Sequence, residues 1–266
     1  MRHCTFPSAS FGCEVGYCIY LPPGYCDGPA LPVIYNLHGA GGNEFHSFDD
    51  VVNLHEGIVA GHYPPAIVVL PNGGFTWYKN SWDGRFPAET MFIEELIPHI
   101  DDTYATIAAH HGRCIEGYSM GGRGATRLAI KYPHLFCSLH NQAGNVLNLA
   151  MMGGQHDGDG RGLAPGWDAA HWQEYLMGFL GPDKPRYIDD DTFCNLEKNL
   201  DRIKGGPDRL QTASFAGLRL HTDRCPAVWQ ARCGSRSGAA RWTTPTCRPA
   251  GSSTRRCCST ESTTRA

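Results

Sequence analysis

No apolar run in the 266-residue chain approaches the ~18–20 residues needed to cross a bilayer. The opening Met1-Arg2-His3-Cys4-Thr5-Phe6-Pro7 also lacks the apolar core of a secretory signal. As it stands, the sequence predicts a cytoplasmic protein with no membrane partner, and secretion of a longer precursor stays open. Neither sign of charge dominates: 23 Lys and Arg against 26 Asp and Glu leave a net charge of −3. There is no basic field to hold phosphates, so nucleic acid is not an expected partner. No G-K-[ST] and no spaced G-x-G-x-x-G occurs, which speaks against a phosphate cradle. Twelve cysteines contain no C-x-x-C, so neither a zinc ligand set nor a redox pair is spelled out. The seven scattered from Cys4 to Cys194 read as reduced, mostly buried thiols. Asp157-Gly158-Asp159-Gly160 lacks the third acid and the Glu at the twelfth position of a calcium loop, and reads as a solvated loop.

The most informative deficit is local. The 43 residues from Arg224 to Ala266 contain no Leu, Ile, Phe, Met or Tyr, one Val and one acid, Glu261, against eight Arg, seven Thr, six Ser and five Cys. Such a stretch cannot supply a core strand or helix. The chain as a whole is an ordinary globular mixture, 41% hydrophobic and 18% charged, of a length that allows one large or two small domains.

Before that tail, short apolar runs alternate with helical periodicity. Val15–Leu21, Leu31–Leu37 and Ala66–Leu70 read as strands, each ended by Pro or Gly. From Ala88 to Tyr104, Phe92, Leu96, Ile97 and Ile100 recur at helical spacing, with Glu89, Glu94 and Glu95 towards the end that the helix dipole favours for acids. Arg113–Glu116 is a short strand, Met120–Lys131 a helix and Leu135–His140 another strand. The spacing further predicts helices over Ala169–Leu180 and Phe193–Ile203, with 150–190 as an insertion or lid. Strands separated by helices mean an α/β fold with a largely parallel sheet.

Gly117-Tyr118-Ser119-Met120-Gly121 matches G-x-S-x-G. It follows a strand and opens a helix, the context of a nucleophile elbow, in which a sharp turn lifts a serine hydroxyl clear of the sheet. The flanking glycines leave room that neighbouring Cβ atoms would fill. Acyl chemistry at such a serine needs two backbone N–H groups for the oxyanion, one from the residue after the nucleophile and one from a loop closing an earlier strand. Met120 can supply the first. Leu37-His38-Gly39-Ala40-Gly41-Gly42 directly follows a buried strand, and the Ala40 N–H is its candidate donor; a glycine-rich turn with no ligand is the alternative.

At these residues the chain resembles the esterase family of α/β-hydrolases that includes feruloyl and acetylxylan esterases, S-formylglutathione hydrolases of the esterase D type, and the antigen 85-like mycolyltransferases. The matching stretches are Tyr20-Leu21-Pro22-Pro23-Gly24-Tyr25, Leu37-His38-Gly39, Pro71-Asn72-Gly73-Gly74 with Trp77-Tyr78, Glu94 to Asp101, and Gly117 to Gly122. The resemblance implies an α/β-hydrolase fold, a largely parallel central sheet with helices on both faces. It makes Ser119 the nucleophile, Ala40 and Met120 the oxyanion donors, and Trp77 and Trp82 borders of the substrate pocket. It implies carboxylic-ester hydrolysis through an acyl-enzyme, with feruloyl- or acetyl-type esters, small or carbohydrate-linked, as substrates and no metal or cofactor. Thioester hydrolysis, acyl transfer and a non-catalytic domain of the same fold are the alternatives.

In that family order an acid and then a histidine follow the serine. Gly217–Asp223 can be the acid-bearing strand, with Asp223 at its end. No histidine follows it, and His221 stands before it. A shifted reading frame accounts for this. If each true codon joins the last base of one written codon to the first two of the next, Cys257-Cys258 conceals a forced Leu, and the stretch permits V-L-L-D-G-V-D-H, a strand followed by G-x-x-H. Residues 1–223 are therefore expected to form the hydrolase domain and 224–266 an aberrant, disordered tail that leaves the C-terminal part of the fold incomplete.

Overall fold

In the computed structural model of the chain the described residues are 1–144, 192–205 and 209–214. They form a seven-stranded sheet in the order β1-β2-β4-β3-β5-β6-β7. A hairpin begins it: β1 (Arg2–Ser8) pairs antiparallel with β2 (Cys13–Tyr20), and β2 pairs antiparallel with β4 (Ile67–Pro71). From there the sheet is parallel, through β3 (Val33–Leu37), β5 (Arg113–Tyr118), β6 (Ser138–Gln142) and β7 (Gln211–Ser214).

The apolar runs of β3, interrupted only by Asn36, and of β4 follow from this placement: every residue of both is buried, as central strands covered on two faces require. Alternation divides them between two cores. Val33, Tyr35, Leu37, Ile67, Val69 and Ile115 pack with Phe92, Leu96, Ile100 and Leu128 on one face. Ile34, Val68, Leu70 and Cys114 meet Val51 and Leu54 on the other. The latter two belong to α1 (Phe48–Val59), whose first turn carries Asp49 and Asp50.

The periodic stretch after residue 88 is helical but irregular. It starts as α2 (Ala88–Thr90), widens to a π-helical run over Met91–Leu96, and resumes as α3 (Ile97–Thr103). α4 spans Met120–Lys131, the bounds the sequence predicts. α5 (Thr192–Gly205) is packed against it, with Asn199 Nδ2 donating to the Ile130 carbonyl at 2.9 Å.

The observed β2, β3, β4, β5 and β6 lie within three residues of the expected strands, and β1 has no counterpart among them. The strand beside β6 is Gln211–Ser214, upstream of the Gly217–Asp223 stretch read as the acid-bearing strand. Asp223, His221, the 150–190 insertion, the Ala169–Leu180 helix and the 224–266 tail lie outside the described residues. Six described cysteines are free, three of them buried, but Cys26 is disulfide-bonded, against the expectation of reduced thiols throughout. Pairing depends on which chain segments meet in space, and cysteine spacing in sequence does not show that. Among the described residues no helix is long and apolar enough to cross a membrane.

Candidate active site

The carboxyl ends of β3, β4 and β5 meet at one edge of the sheet, where open α/β folds bind ligands. Ser119 stands there at the turn between β5 and α4, with φ +53° and ψ −114°. A non-glycine residue holds such a conformation only where its surroundings over-determine it. Three sets of contacts do so. The Ser119 N–H donates to the Gln142 carbonyl at 2.8 Å, and its own carbonyl accepts the Arg123 N–H at 3.0 Å. A Cβ on Gly117 would lie 2.5 Å from the Gly121 oxygen and 2.8 Å from the Leu37 oxygen. One on Gly122 would lie 2.5 Å from Asn141 Oδ1 and 2.8 Å from the Gly117 oxygen. The glycines of G-x-S-x-G-G are therefore sites where backbones touch.

The loop after β3 lies against this turn. A Cβ on Gly39 would come 3.4 Å from the Tyr118 oxygen and 3.5 Å from Ser119 Cβ. Ala40 follows on the exposed side. Met120 is the first residue of α4, so its N–H is one of the donors that a helix start leaves without an intrahelical partner. Of the residues expected to act together, the structure thus brings Ser119, Met120 and the Gly39–Ala40 loop to one place.

The loop after β4 supports them from the side. Trp77 and Tyr78 adopt φ +58° and +55° in succession. The Tyr78 ring is fully buried, its Cζ 2.6 Å from where a Gly73 Cβ would stand and its Cδ2 2.7 Å from that of Gly124. Trp77 packs under the Arg123 guanidinium, 4.3 Å from ring centre to Cζ. Trp82 is 43% exposed. An apolar cleft of about 500 Å3 opens between the start of β2 and the loop after β4, lined by Phe11, Val15, Phe75 and Phe86 with Glu14 and Thr76; neither tryptophan lines it.

Behind α4, Glu89 is buried between two cations. Its Oε2 lies 2.7 Å from Arg127 Nη2 and its Oε1 2.7 Å from Lys131 Nζ, and Tyr132 donates its hydroxyl to Oε1 at 2.6 Å. Arg127 Nη2 also donates to the Tyr78 carbonyl at 2.5 Å, which ties α4 to the β4 loop.

Three of the described histidines are engaged with residues of the sheet. His99 meets the Tyr17 hydroxyl at 3.0 Å and His55 the Tyr20 hydroxyl at 2.9 Å. His140 lies 3.5 Å from the buried carboxylate of Glu116, which also accepts from Asn36 at 2.7 Å. These three residues form one row across β3, β5 and β6. His38 uses both ring nitrogens on backbone groups. Its burial, opposed by its bond to Gly39, lowers its pKa from the ordinary 6.5. His38 and Tyr78 are the site residues that sequence reasoning missed. Both stand within the family-like stretches, but only their spatial contacts show what they do.

Strand order β1-β2-β4-β3-β5-β6-β7, with a strained serine turn after β5, is the arrangement of the α/β-hydrolases, and the chain has that fold. Residues 8–212 match the family described as "Putative esterase", and the chain belongs to it. Esterase Rv1288 of Mycobacterium tuberculosis is 35% identical over 144 residues, 52% of this chain and 31% of that protein. An endo-1,4-beta-xylanase/feruloyl esterase of Xylanibacter ruminicola is 32% identical over 149 residues, 51% of this chain and 20% of that protein. The match thus spans less than a third of the length of these relatives. Among solved structures, an S-formylglutathione hydrolase from Agrobacterium tumefaciens has a TM-score of 0.59 at 17% identity, covering 86% of this chain and 88% of its own. Mycobacterium tuberculosis MPT51 has a TM-score of 0.55 at 18% identity, covering 79% and 72%.

Proposed function

We propose that the chain is a serine carboxylic-ester hydrolase with Ser119 as nucleophile, acting on feruloyl- or acetyl-type esters, small or carbohydrate-linked. The observation that carries this reading is the strained Ser119 turn set against the Gly39–Ala40 loop. Ser119 Oγ attacks the ester carbonyl carbon as its proton leaves to a base. The negative charge then on the carbonyl oxygen is held by the N–H groups of Ala40 and Met120. Collapse expels the alcohol and leaves an acyl-serine, which water cleaves to the free acid and the original hydroxyl. Asp223 is the proposed acid of the triad, and Trp77, Trp82 and the apolar cleft offer surface for the acyl or alcohol portion.

A fluorophosphonate followed by peptide mapping tests the assignment. Labelling of Ser119 is expected; labelling elsewhere, or none even after the reading frame is restored, overturns it. The lack of any histidine after Asp223 favours one second reading, a non-catalytic domain of this fold. Turnover of p-nitrophenyl acetate by the unaltered chain separates the two, because loss of one triad member leaves only ~10³–10⁴-fold catalysis over water.

A further inference from the structure

His38 closes β3 and is 3% exposed. Its Nε2 accepts the Gly73 N–H at 3.0 Å, so that nitrogen carries a lone pair and the ring proton of the neutral imidazole sits on Nδ1. Nδ1–H in turn donates to the Gly39 carbonyl oxygen at 2.8 Å. Burial favours the uncharged ring in the same sense.

The consequence follows from peptide geometry. The Gly39 C=O and the Ala40 N–H belong to one trans peptide group, in which they point in opposite directions. Drawing the oxygen towards His38 therefore turns the Ala40 N–H away from the imidazole, and the loop's other neighbour is the Ser119 turn. Gly42 N–H donates to the same oxygen at 3.0 Å and reinforces that setting. The preceding peptide is fixed as well, since the Tyr78 hydroxyl donates to the His38 carbonyl at 3.2 Å. Tyr78 cannot drift: its ring fills the space left by Gly73 and Gly124, and its carbonyl is held by Arg127.

We propose that His38 is a positioning residue for the oxyanion loop: pinned at Nε2 by Gly73, it aims the Ala40 N–H through its bond to the Gly39 oxygen, and Tyr78 clamps the peptide before it. This rests on the reading of Ser119 and Ala40 given above, and it assigns His38 no contact with substrate.

Two amide variants of the full chain separate the roles of the ring nitrogens. In His38→Asn the side-chain amide nitrogen takes the place of Nδ1 and can still donate to Gly39. In His38→Gln the amide oxygen reaches the place of Nε2 and can still accept from Gly73. Aiming of the N–H predicts that His38→Gln slows fluorophosphonate labelling of Ser119 about 10- to 100-fold, approaching the loss of an oxyanion donor, while His38→Asn stays within about threefold of the parent. With p-nitrophenyl acetate the loss falls on kcat and leaves KM unchanged. Equal losses in the two variants, or a faster Gln variant, show that His38 only tethers the loop to Gly73 and overturn the proposal. If either variant fails to fold by near-UV circular dichroism, Tyr78→Phe takes its place and is expected to label about tenfold more slowly; unchanged labelling overturns the clamp. Nitrogen-15 NMR of the parent gives an independent readout, with a proton on Nδ1 and a lone pair on Nε2 between about pH 5 and 8. An Nε2–H tautomer refutes the proposal. A chain that does not label at Ser119 even after the reading frame is restored instead overturns the hydrolase reading, and the tautomer then decides the His38 geometry alone.

Discussion

Replacing Gly121 by alanine sets two physical effects against each other, and the sign of the result decides between them. Gly121 is the second residue of α4, where alanine is the better helix former by about 1 kcal/mol. Propensity alone therefore makes Gly121→Ala more stable than the parent. The structure opposes this, because the added Cβ would overlap the Leu37 carbonyl oxygen and lie 2.5 Å from its carbon and 2.7 Å from the His38 oxygen. All three are backbone atoms, so no side-chain rotation relieves the contact, and the end of β3 must part from the start of α4. Overpacking of this kind costs about 1–3 kcal/mol and more when backbone must move. We expect a net loss of about 2–3 kcal/mol, a fall in Tm of roughly 4–12 °C at about 2–4 °C per kcal/mol for a chain near this size. Gly12→Ala is the control: φ is +67° but the space is open, so only the backbone cost of about 1–2 kcal/mol applies. Differential scanning calorimetry measures both. The parting that relieves Gly121→Ala also draws the Gly39–Ala40 loop from Ser119, so labelling slows in the same variant. A Gly121→Ala protein as stable as the parent would refute the packing account of the elbow.

Ser119→Gly should raise stability by about 1 kcal/mol relative to Ser119→Ala, since glycine alone is relieved at φ +53°, while both variants lose fluorophosphonate labelling; equal stability means the turn is unstrained. Glu89→Gln leaves Arg127 and Lys131 facing a neutral amide and should cost about 3–5 kcal/mol in urea unfolding, whereas Lys131→Met, at the more exposed end of the network, should cost about 1 kcal/mol or less; similar losses contradict the assignment of Glu89 as the hub. His38 and His99 both have pKa values lowered by burial from 6.5, so the unfolded chain binds the proton more readily. Their contribution is complete above pH 6.5 and declines as pH falls through that value towards the lowered folded ones. His38→Asn should flatten the slope of stability against pH over that interval, and an unchanged slope counts against it. Finally, the coding DNA between about codon 205 and codon 241 should show a single-base edit that opens a frame encoding a helix, a strand and G-x-x-H; nucleotides without such a frame refute the frameshift.

The elbow was legible in the sequence because its determinants are adjacent. An apolar strand, the G-x-S-x-G turn and a helix-forming run lie between Arg113 and Lys131, and the structure keeps α4 to the expected residues. The buried strands β3 and β4 were legible for a similar reason, since burial on both faces leaves a run of mostly apolar residues. Local pattern was weaker for β1, a strand at the sheet edge containing Pro7, and for α1, whose apolar stripe is interrupted by Asn53, His55 and Gly57. Neither was read as an element. What only the tertiary structure decided involves residues distant in sequence. Neighbours in the sheet are set by pairing, which places β4 between β2 and β3 and puts Gln211–Ser214 beside β6. The bonds of His38 to Gly73 and Tyr78, and of Glu89 to Arg127 and Lys131, span 35 to 42 positions, and hydrogen bonding has no periodicity to betray them. The sequence named the serine because its turn is local; the setting of the N–H groups around it depended on how three loops pack together.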